Sequence, residues 1–358
     1  MLGRRALTPV AAVACLAAVT LAAAGCKVSL QAAQGTQGAN GGNSEQGQAG
    51  PDTVTSASGG SDRLYVEPGA GFSPVYSLID GARHSIDVTM YEFADKTAEH
   101  DLASAAGRGV LVRVILDHKE QDRNSAAYDY FRSHGVKVVW SSSSFTYTHQ
   151  KTLVIDGSKA VIMTANLTSE YYSTSRDFFV VDSSRTDASA IAAVFDADFA
   201  HRAVRPGDGS DLVWSPTDSQ DKLLGLINGA AKSLRIYSEE MGDTTVEKAL
   251  IRAAGRGVDV QVCGENEDGE YDSAFAKLAA AGVHVSYYSS STGFYIHGKV
   301  IEADYGTAHA KVFIGSENFS STSLNRNREL GLVISNSAIM SAIARSFAAD
   351  FATGKHWT

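Results

Sequence analysis

The amino-acid sequence predicts an α/β protein made of two similar α/β/α lobes, packed face to face as a pseudo-two-fold pair within one chain. The segment LIDGARHSIDVTMYEFAD at 78–95 returns as LINGAAKSLRIYSEEMGD at 226–243, a shift of 148 residues, and AAGRGV repeats with the same shift. Helix patterns alternate with strand patterns within each half, which is typical of α/β layers. A chain of 358 residues with 44% hydrophobic content is long enough to bury two cores.

The elements of the first half follow from local patterns. Ser73-Pro74 is a typical helix start, because proline fits the first helical turn. Apolar side chains alternate over 86–90 and again over 112–116, which predicts two strands. A helix is expected between them over 97–107, where it ends at a glycine. The repeat implies the same order of elements in the second half.

The first 25 residues differ in composition from the rest. Arg4 and Arg5 precede an apolar run at 10–24 that is too short to span a bilayer and ends in small residues, which predicts an export signal. The run ends in LAAAGC, which resembles the site at which bacterial lipoproteins are cleaved and acylated, here on Cys26. We therefore expect an exported, outward-facing lipoprotein of the cell membrane, with cleavage after Ala24 and secretion as the alternative.

Residues 26–63 are expected to form a flexible linker, because they are rich in glycine, glutamine, serine and asparagine. The folded part is predicted to begin near Leu64, with a first lobe at 64–208 and a second at 209–358. Of the three cysteines, only Cys263 lies in these lobes, so no disulfide is expected.

The formal net charge limits the classes of partner that the protein is expected to bind. A formal net charge of −9 disfavours nucleic acid, since neutralisation of phosphates by Lys and Arg supplies most non-specific affinity. A phospholipid membrane surface fits the predicted lipid anchor. We expect a monomer whose two lobes form an intramolecular pseudo-dimer.

One trio of residues occurs in both halves: HQKTLVID at 149–156 and HGKVIEAD at 297–304. Side chains alternate across a strand, so His149 and Lys151 share a face. If a two-residue turn follows Asp156, the hairpin register pairs Lys151 with Thr164 and His149 with Asn166. The site would then hold an imidazole, an ammonium and a carboxamide together.

The second half carries the corresponding asparagine, Asn318. Eleven residues beyond each asparagine lies a carboxylate at the start of a strand, Asp177 in the first half and Glu329 in the second. Such a group can accept the Nδ1 proton of a histidine and so leave Nε2 available. We expect Asp156 and Asp304 to brace the site rather than to react.

These residues resemble the signature of the phospholipase D superfamily, HxKxxxxD followed by GSxN, which occurs twice per active site. The second half matches fully, whereas the first has MTAN at 163–166 in place of GSxN. The resemblance implies phosphodiester exchange through a phosphohistidine, with no metal or other cofactor, and with His149 as nucleophile and His297 as acid. The candidate catalytic residues are His149, Lys151, Asp156, Asn166, Asp177, His297, Lys299, Asp304, Asn318 and Glu329, with Thr164, Ser316, Tyr147 and Tyr295 as substrate contacts.

Several alternatives stay open. The first hypothesis is hydrolysis of the distal phosphodiester of glycerophospholipids. A metal-independent endonuclease, a cardiolipin-synthase-like phosphatidyltransferase and a binding protein with a decayed site are the others. Tyr147 and Tyr295 suit either strand packing or an apolar lip for lipid. Arg326 and Arg328 are further candidates for a phosphate contact, although surface arginines usually lack that role.

Overall fold

Two mixed sheets of eight strands each organise the part of the chain that the computed structural model describes, residues 56–59 and 62–358. The predicted signal, Cys26 and most of the predicted linker lie outside these residues. Strand pairing begins at Ser56, ahead of Leu64, because residues 56–59 form an antiparallel hairpin with 62–66. No helix within the described ranges is long and apolar enough to cross a membrane.

The first sheet has the strand order β1-β2-β9-β7-β6-β3-β4-β5. Its members are parallel from β3 to β5 and antiparallel elsewhere. The strands are β1 Ser56–Gly59, β2 Asp62–Val66, β3 Ser85–Met90, β4 Leu111–Leu116, β5 Lys137–Trp140, β6 Thr152–Ile155, β7 Lys159–Met163 and β9 Phe178–Asp182, and the helices are α1 Ser73–Gly81, α2 Lys96–Gly107, α3 Gln121–Ser133 and α4 Arg185–Phe199.

The second sheet repeats this plan with the order β10-β17-β16-β15-β11-β12-β13-β18. Its strands are β10 Leu212–Ser215, β11 Ser233–Ser238, β12 Asp259–Glu265, β13 His284–Tyr288, β15 Val300–Ala303, β16 Lys311–Gly315, β17 Glu329–Ile334 and β18 Lys355–His356, and its helices are α5 Ser219–Gly229, α6 Thr244–Gly255, α7 Asp272–Ala280, α8 Ser321–Arg326 and α9 Ser337–Thr353. The predicted duplicated α/β fold is confirmed.

The buried apolar side chains of the described residues form three clusters. One core lies within the first lobe and one within the second, while the third contains residues of both. Alternation along β6 and its neighbours divides the side chains: Leu153 enters the core of the first lobe, and Val154 enters the shared core. Since both faces of each sheet are covered, the central strands are mostly apolar, and polar exceptions such as Asp87 and Glu302 are paired with arginines.

A third, very short sheet crosses between the lobes. Strand β8 Ser175–Arg176 of the first lobe pairs in parallel with β14 Tyr295–Ile296 of the second. An isolated bridge joins Thr148 to Arg328 in the symmetric position. The segment just before each histidine of the repeated motif is therefore anchored to the backbone of the opposite lobe.

Candidate active site

The two histidines lie in the segments that cross between the lobes. His297 N–H donates to the carbonyl of Arg176 over 3.2 Å, and Gln150 N–H donates to the carbonyl of Arg328 over 3.0 Å. The His149 and His297 side chains are 12% and 14% exposed, so each ring reaches solvent from a largely buried position. The interface between lobes is thus the place where the two half-sites meet.

A carboxylate holds each histidine, and it comes from the other lobe. His149 Nδ1 lies 2.8 Å from Glu329 Oε2, and His297 Nδ1 lies 2.8 Å from Asp177 Oδ1. The predicted carboxylates are therefore at the Nδ1 atoms, and the pairing between halves is crossed. Each carboxylate fixes an Nδ1–H tautomer and leaves Nε2 for substrate.

Neighbouring hydroxyl and amide groups orient these carboxylates. Thr164 Oγ1 donates to Asp177 Oδ1 over 2.5 Å, while Ser323 Oγ and Asn327 Nδ2 donate to Glu329 Oε1 over 2.6 and 2.9 Å. The sequence pattern missed Ser323 and Asn327, because neither belongs to the repeated motif. A hydrogen-bonded carboxylate keeps its charge and its orientation toward the histidine.

Thr164 and Ser316 are predicted substrate contacts, and the structure shows which protein groups they contact. Both are fully buried. Thr164 contacts Asp177, and Ser316 Oγ accepts the N–H of Leu330 over 3.2 Å. The hydroxyl of Thr164 holds the Asp177 carboxylate, and that of Ser316 holds the backbone at Leu330. Threonine at 164, where the signature has serine, therefore keeps the hydroxyl contact.

The hairpin register also differs from the prediction. Met163 N–H donates to the carbonyl of Lys151 over 3.0 Å, so Lys151 pairs with Met163 rather than with Thr164. The turn contains three residues, because Asp156 and Gly157 both have positive φ, 51° and 58°. The shift moves Thr164 beyond the strand end, where it reaches Asp177.

Both lysines are fully buried below the histidines. Lys151 Nζ donates to the carbonyl of His149 over 2.8 Å, and Lys299 Nζ donates to that of His297 over 2.5 Å. Burial, with the nearby charge of Lys299, lowers the pKa of Lys151 to about 7. Burial and the charge of Lys151 also lower the pKa of His149, which favours its neutral form.

The asparagines complete the polar set. Asn318 is buried and Asn166 is partly buried. Among the described residues, neither Oδ1 atom has a hydrogen-bond partner. Buried amides without partners are rare, and they are expected where a ligand supplies the missing contacts.

Asp156 and Asp304 each hold three backbone N–H groups at the start of a strand. The Asp156 carboxylate accepts the N–H groups of Arg83, His84 and Ser85 ahead of β3, and Asp304 accepts those of Ala231, Lys232 and Ser233 ahead of β11. Burial alone would raise the pKa of each carboxyl, but these donors outweigh it and lower the pKa below its ordinary value.

Aromatic and acidic side chains line the half-sites. Tyr147 and Tyr295 are partly buried beside the histidines. The Tyr295 hydroxyl donates to Glu239 Oε1 over 3.0 Å, and the Tyr91 ring lies 4.5 Å from the His149 ring between centroids. Tyr91 and Glu239 were absent from the predicted site, although they occupy equivalent positions in MYEFAD and SEEMGD.

Arg328 does not contribute a free phosphate contact. Its guanidinium is buried and pairs with Asp198 of α4, with Nε 2.9 Å from Oδ2. The pseudo-symmetric Arg176 pairs with Asp350 of α9, with Nε 2.6 Å from Oδ2. Both pairs join opposite lobes and hold the crossing segments in place.

The chain matches the family described as "Cardiolipin synthase, PLD-like domain" over residues 75–200 and 223–351, one match in each lobe. These two ranges cover most of the chain. Together with the doubled His/Lys/Asn set, they show that the protein belongs to the family of phospholipase D-like domains.

Two curated relatives have informative names. Cardiolipin synthase 1 from Bacillus cereus is 26% identical over 341 residues, a match that covers 80% of this chain and 65% of the relative. The mitochondrial cardiolipin hydrolase of Xenopus tropicalis is 27% identical over 127 residues, covering 36% of this chain and 60% of that protein. The chain thus spans about two thirds of the length of the bacterial relative.

Solved structures share the two-lobe architecture. Phosphatidylserine synthase from Haemophilus influenzae superposes with a TM-score of 0.64 at 11% identity, covering 83% of this chain and 87% of that one. Polyphosphate kinase from Porphyromonas gingivalis also has a TM-score of 0.64, at 16% identity, covering 81% of this chain and 50% of that one. At these identities the likeness shows the fold alone.

Proposed function

We propose that the protein is a phospholipase D-like phosphodiesterase that hydrolyses the distal phosphodiester of glycerophospholipids through a covalent phosphohistidine. The observation that carries the proposal is the crossed pair of contacts, His149 with Glu329 and His297 with Asp177, each over 2.8 Å. Both imidazoles are oriented through Nδ1, so both Nε2 atoms are available for reaction.

The reaction divides into two displacement steps at phosphorus. In the first, the lone pair of His149 Nε2 bonds to phosphorus, the bond from phosphorus to the headgroup oxygen breaks, and that oxygen takes the proton of His297 Nε2. In the second, His297 takes a proton from water, the water oxygen bonds to phosphorus, and the nitrogen–phosphorus bond breaks. The products are phosphatidate and the headgroup alcohol, and both histidines regain their starting states.

Four further side chains stabilise the charge on the non-bridging oxygens. Lys151 and Lys299 supply positive charge from buried positions, where Coulomb interactions are stronger than in water. Asn166 and Asn318 supply side-chain Nδ2 groups, which can donate hydrogen bonds to these oxygens. These four side chains lower the barrier only as far as they stabilise the transition state more than the bound phosphodiester.

A lipid substrate is supported by the surroundings of the site. Tyr147 and Tyr295 provide partly buried aromatic surface beside the histidines, where acyl chains or a headgroup can pack. The negative net charge opposes binding of polyanionic DNA. By their names, one of the two relatives makes cardiolipin and the other hydrolyses it. An export signal and acylated Cys26 would place the enzyme at an outward-facing membrane surface.

Phosphatidyl transfer is the second candidate. An alcohol that replaces water in the second step gives a new phosphodiester through the same phosphohistidine. The similarity to cardiolipin synthase 1 over 80% of the chain favours this possibility. The acceptor alone separates the two activities, since the first step is identical.

Headgroup release from vesicles tests the proposal. The full chain is mixed with vesicles of phosphatidylcholine, phosphatidylethanolamine or phosphatidylglycerol in the presence of EDTA and ethanol. We expect free headgroup with phosphatidate from hydrolysis and phosphatidylethanol from transfer, and a trapped phosphohistidine that is lost in His149→Ala. Cleavage of DNA without any headgroup release would reject a lipid substrate in favour of a nuclease.

A further inference from the structure

The repeat places different side chains beside the two histidines. Tyr91 follows β3 and Glu239 follows β11, at equivalent positions of the duplicated segment. In the first half, the Tyr91 ring packs on His149, and Lys151 Nζ lies 5.1 Å from the ring centroid. Within the described chain, Lys151 has no carboxylate oxygen within ion-pair distance. The first half-site therefore places an aromatic ring against its lysine, and the carboxylates that act on Lys151 lie farther away.

The second half-site is built around a carboxylate. Glu239 Oε2 lies 2.6 Å from Lys299 Nζ, and Glu239 Oε1 lies 3.6 Å from His297 Nε2. The hydroxyl of Tyr295 donates to the same Oε1 atom over 3.0 Å. His297 thus has Asp177 within hydrogen-bond distance of Nδ1, and Glu239 3.6 Å from Nε2, beyond hydrogen-bond distance, so Nε2 stays available for substrate.

Glu239 stays ionised in this position. Burial would raise the pKa of its carboxyl, but the charges of His297, Lys299 and His149 outweigh burial and hold the pKa well below the ordinary value. The charge of Glu239 therefore acts on both histidines, and its Oε1 atom lies 3.6 Å from Nε2 of His297. A negative charge at this distance favours the imidazolium form over the neutral ring.

The charged groups around His297 come from both lobes. Asp177 precedes β9, Glu239 follows β11, and Glu92 follows β3 close enough for its charge to interact with His297 and Lys151. Lys299 on the histidine's own segment opposes them. Three carboxylates thus lie around His297, whereas His149 faces Tyr91 at the position where His297 faces Glu239.

We propose that Glu239 is the positioning residue that breaks the symmetry between the half-sites: its carboxylate, beside Lys299 and His297 Nε2, stabilises positive charge on the ring that donates to the leaving oxygen, so that His149 is the nucleophile. The inference rests on the phosphohistidine mechanism proposed above. In the first step, the proton that leaves His297 Nε2 goes to the headgroup oxygen. The neutral His297 then accepts a proton from water, and Glu239 again stabilises the imidazolium.

A simpler role for Glu239 is to balance the buried charge of Lys299. The two roles differ in their dependence on the leaving group. Proton donation matters most for an alkoxide leaving group and little for a stable phenolate. Charge balance around Lys299 affects all phosphodiesters alike, because every substrate places the same phosphoryl oxygens against that lysine.

The test compares Glu239→Gln with the wild-type chain on methyl phosphodiesters that carry 4-nitrophenyl, phenyl or alkyl leaving groups. We expect kcat to fall about 100-fold or more for the alkyl diester and less than about threefold for the 4-nitrophenyl diester. Glu239→Asp should restore part of the alkyl activity. Glu240→Gln changes the adjacent acidic side chain, whose pKa burial raises to about 7 and which shows no contact with either histidine among the described residues; it should leave the dependence on leaving group unchanged.

Equal losses for all three diesters, or no loss, would overturn the assignment. Trapping adds a second criterion: the phosphohistidine formed from the 4-nitrophenyl diester should lie on His149 and persist in Glu239→Gln, and its presence on His297 would also overturn the proposal. A wild-type chain that cleaves the synthetic diesters but no lipid would reject the lipid substrate alone. A chain inert toward every diester would reject both proposals.

Discussion

At the residue scale, the buried carboxylates decide which histidine nitrogen is available. Glu329 is fully buried, and its two oxygens are divided between His149 and the donors Ser323 and Asn327. The charges of His149 and Lys151 outweigh burial and keep the pKa of Glu329 below its ordinary value. Glu329 therefore remains ionised beside Nδ1 of His149, the ring that attacks phosphorus.

Replacement of Glu329 by Gln should lower kcat about 10²- to 10⁴-fold, because the amide neither fixes the tautomer nor stabilises positive charge on His149. The measurement is steady-state turnover together with the thermal midpoint. Glu302→Gln is the matched control: this carboxyl is also fully buried in the second lobe but pairs with Arg235, and it should leave kcat unchanged. Undiminished turnover of Glu329→Gln would contradict the prediction.

The pH dependence of kcat/KM should follow from His149 and Lys151. The nucleophile must be neutral, and its lowered pKa extends the neutral form below the ordinary value of 6.5. The acidic half-maximum is therefore expected below pH 6.5. Lys151, with a pKa of about 7, loses its charge as the pH rises past that value, so the rate should decline there. An acidic half-maximum above 6.5 would show that another group controls this limb.

At the element scale, one turn sets the position of the whole hairpin. Asp156 ends β6 with a φ of 51°, a conformation that is unusual for residues other than glycine. Its carboxylate accepts three backbone N–H groups ahead of β3, which offsets the local strain. The hairpin β6–β7 is thereby tied to the neighbouring strand, and His149 and Lys151 are carried into register.

Removal of this brace should destabilise the fold without changing the chemistry. Asp156→Ala is expected to lower the free energy of unfolding by about 1–2 kcal/mol, since two exposed N–H groups and the partly buried one of Ser85 lose an ionised acceptor. Because the folded pKa of Asp156 is lowered, the stabilisation is present above the unfolded pKa and disappears as the pH falls through the folded one. Urea unfolding at several pH values measures both effects.

Asp304→Ala should behave in the same way, because it caps the equivalent strand. Asp259→Ala provides the control, since this exposed carboxylate bonds only to the Gln261 side chain and should change stability by less than about 0.5 kcal/mol. Turnover per folded molecule should stay within a few-fold of wild type for both capping variants. A large loss of turnover in fully folded protein would assign these aspartates a chemical role.

At the scale of the whole molecule, two ion pairs hold the lobes in the relation that the site requires. Arg176 with Asp350 and Arg328 with Asp198 are pseudo-symmetric, and both connect opposite lobes. Backbone bonds from the same arginines hold the segments of His297 and Gln150. A loss at either pair therefore affects stability and catalytic geometry together.

Arg328→Met should lower the free energy of unfolding by about 3–5 kcal/mol, because it leaves the Asp198 carboxylate buried without its partner. Asp198→Asn in the same chain should recover part of that loss, and a double-mutant cycle by urea unfolding measures the coupling. Asp196→Asn serves as control: its carboxylate is 54% exposed beside Arg113, so a change of at most about 1 kcal/mol is expected. Additive effects at Arg328 and Asp198 would refute the coupling.

Local pattern was sufficient for the fold class, the duplication and most of the polar site residues. Strand alternation and the repeated motif depend on neighbours within a few residues, so His149, Lys151, Asn166 and their counterparts could be recognised from the chain alone. The carboxylates Asp177 and Glu329 were also found, because each lies at a fixed distance from its asparagine.

Tertiary structure decided which groups meet. His149 and Glu329 are 180 residues apart, and their contact exists only because the lobes pack with crossed segments. The burial of Thr164 and Arg328, the three-residue turn at Asp156 and the contact of Glu239 with His297 depend likewise on backbone from distant strands. Sequence periodicity describes which face a side chain occupies, whereas its partner across that face is set by how the sheets are assembled.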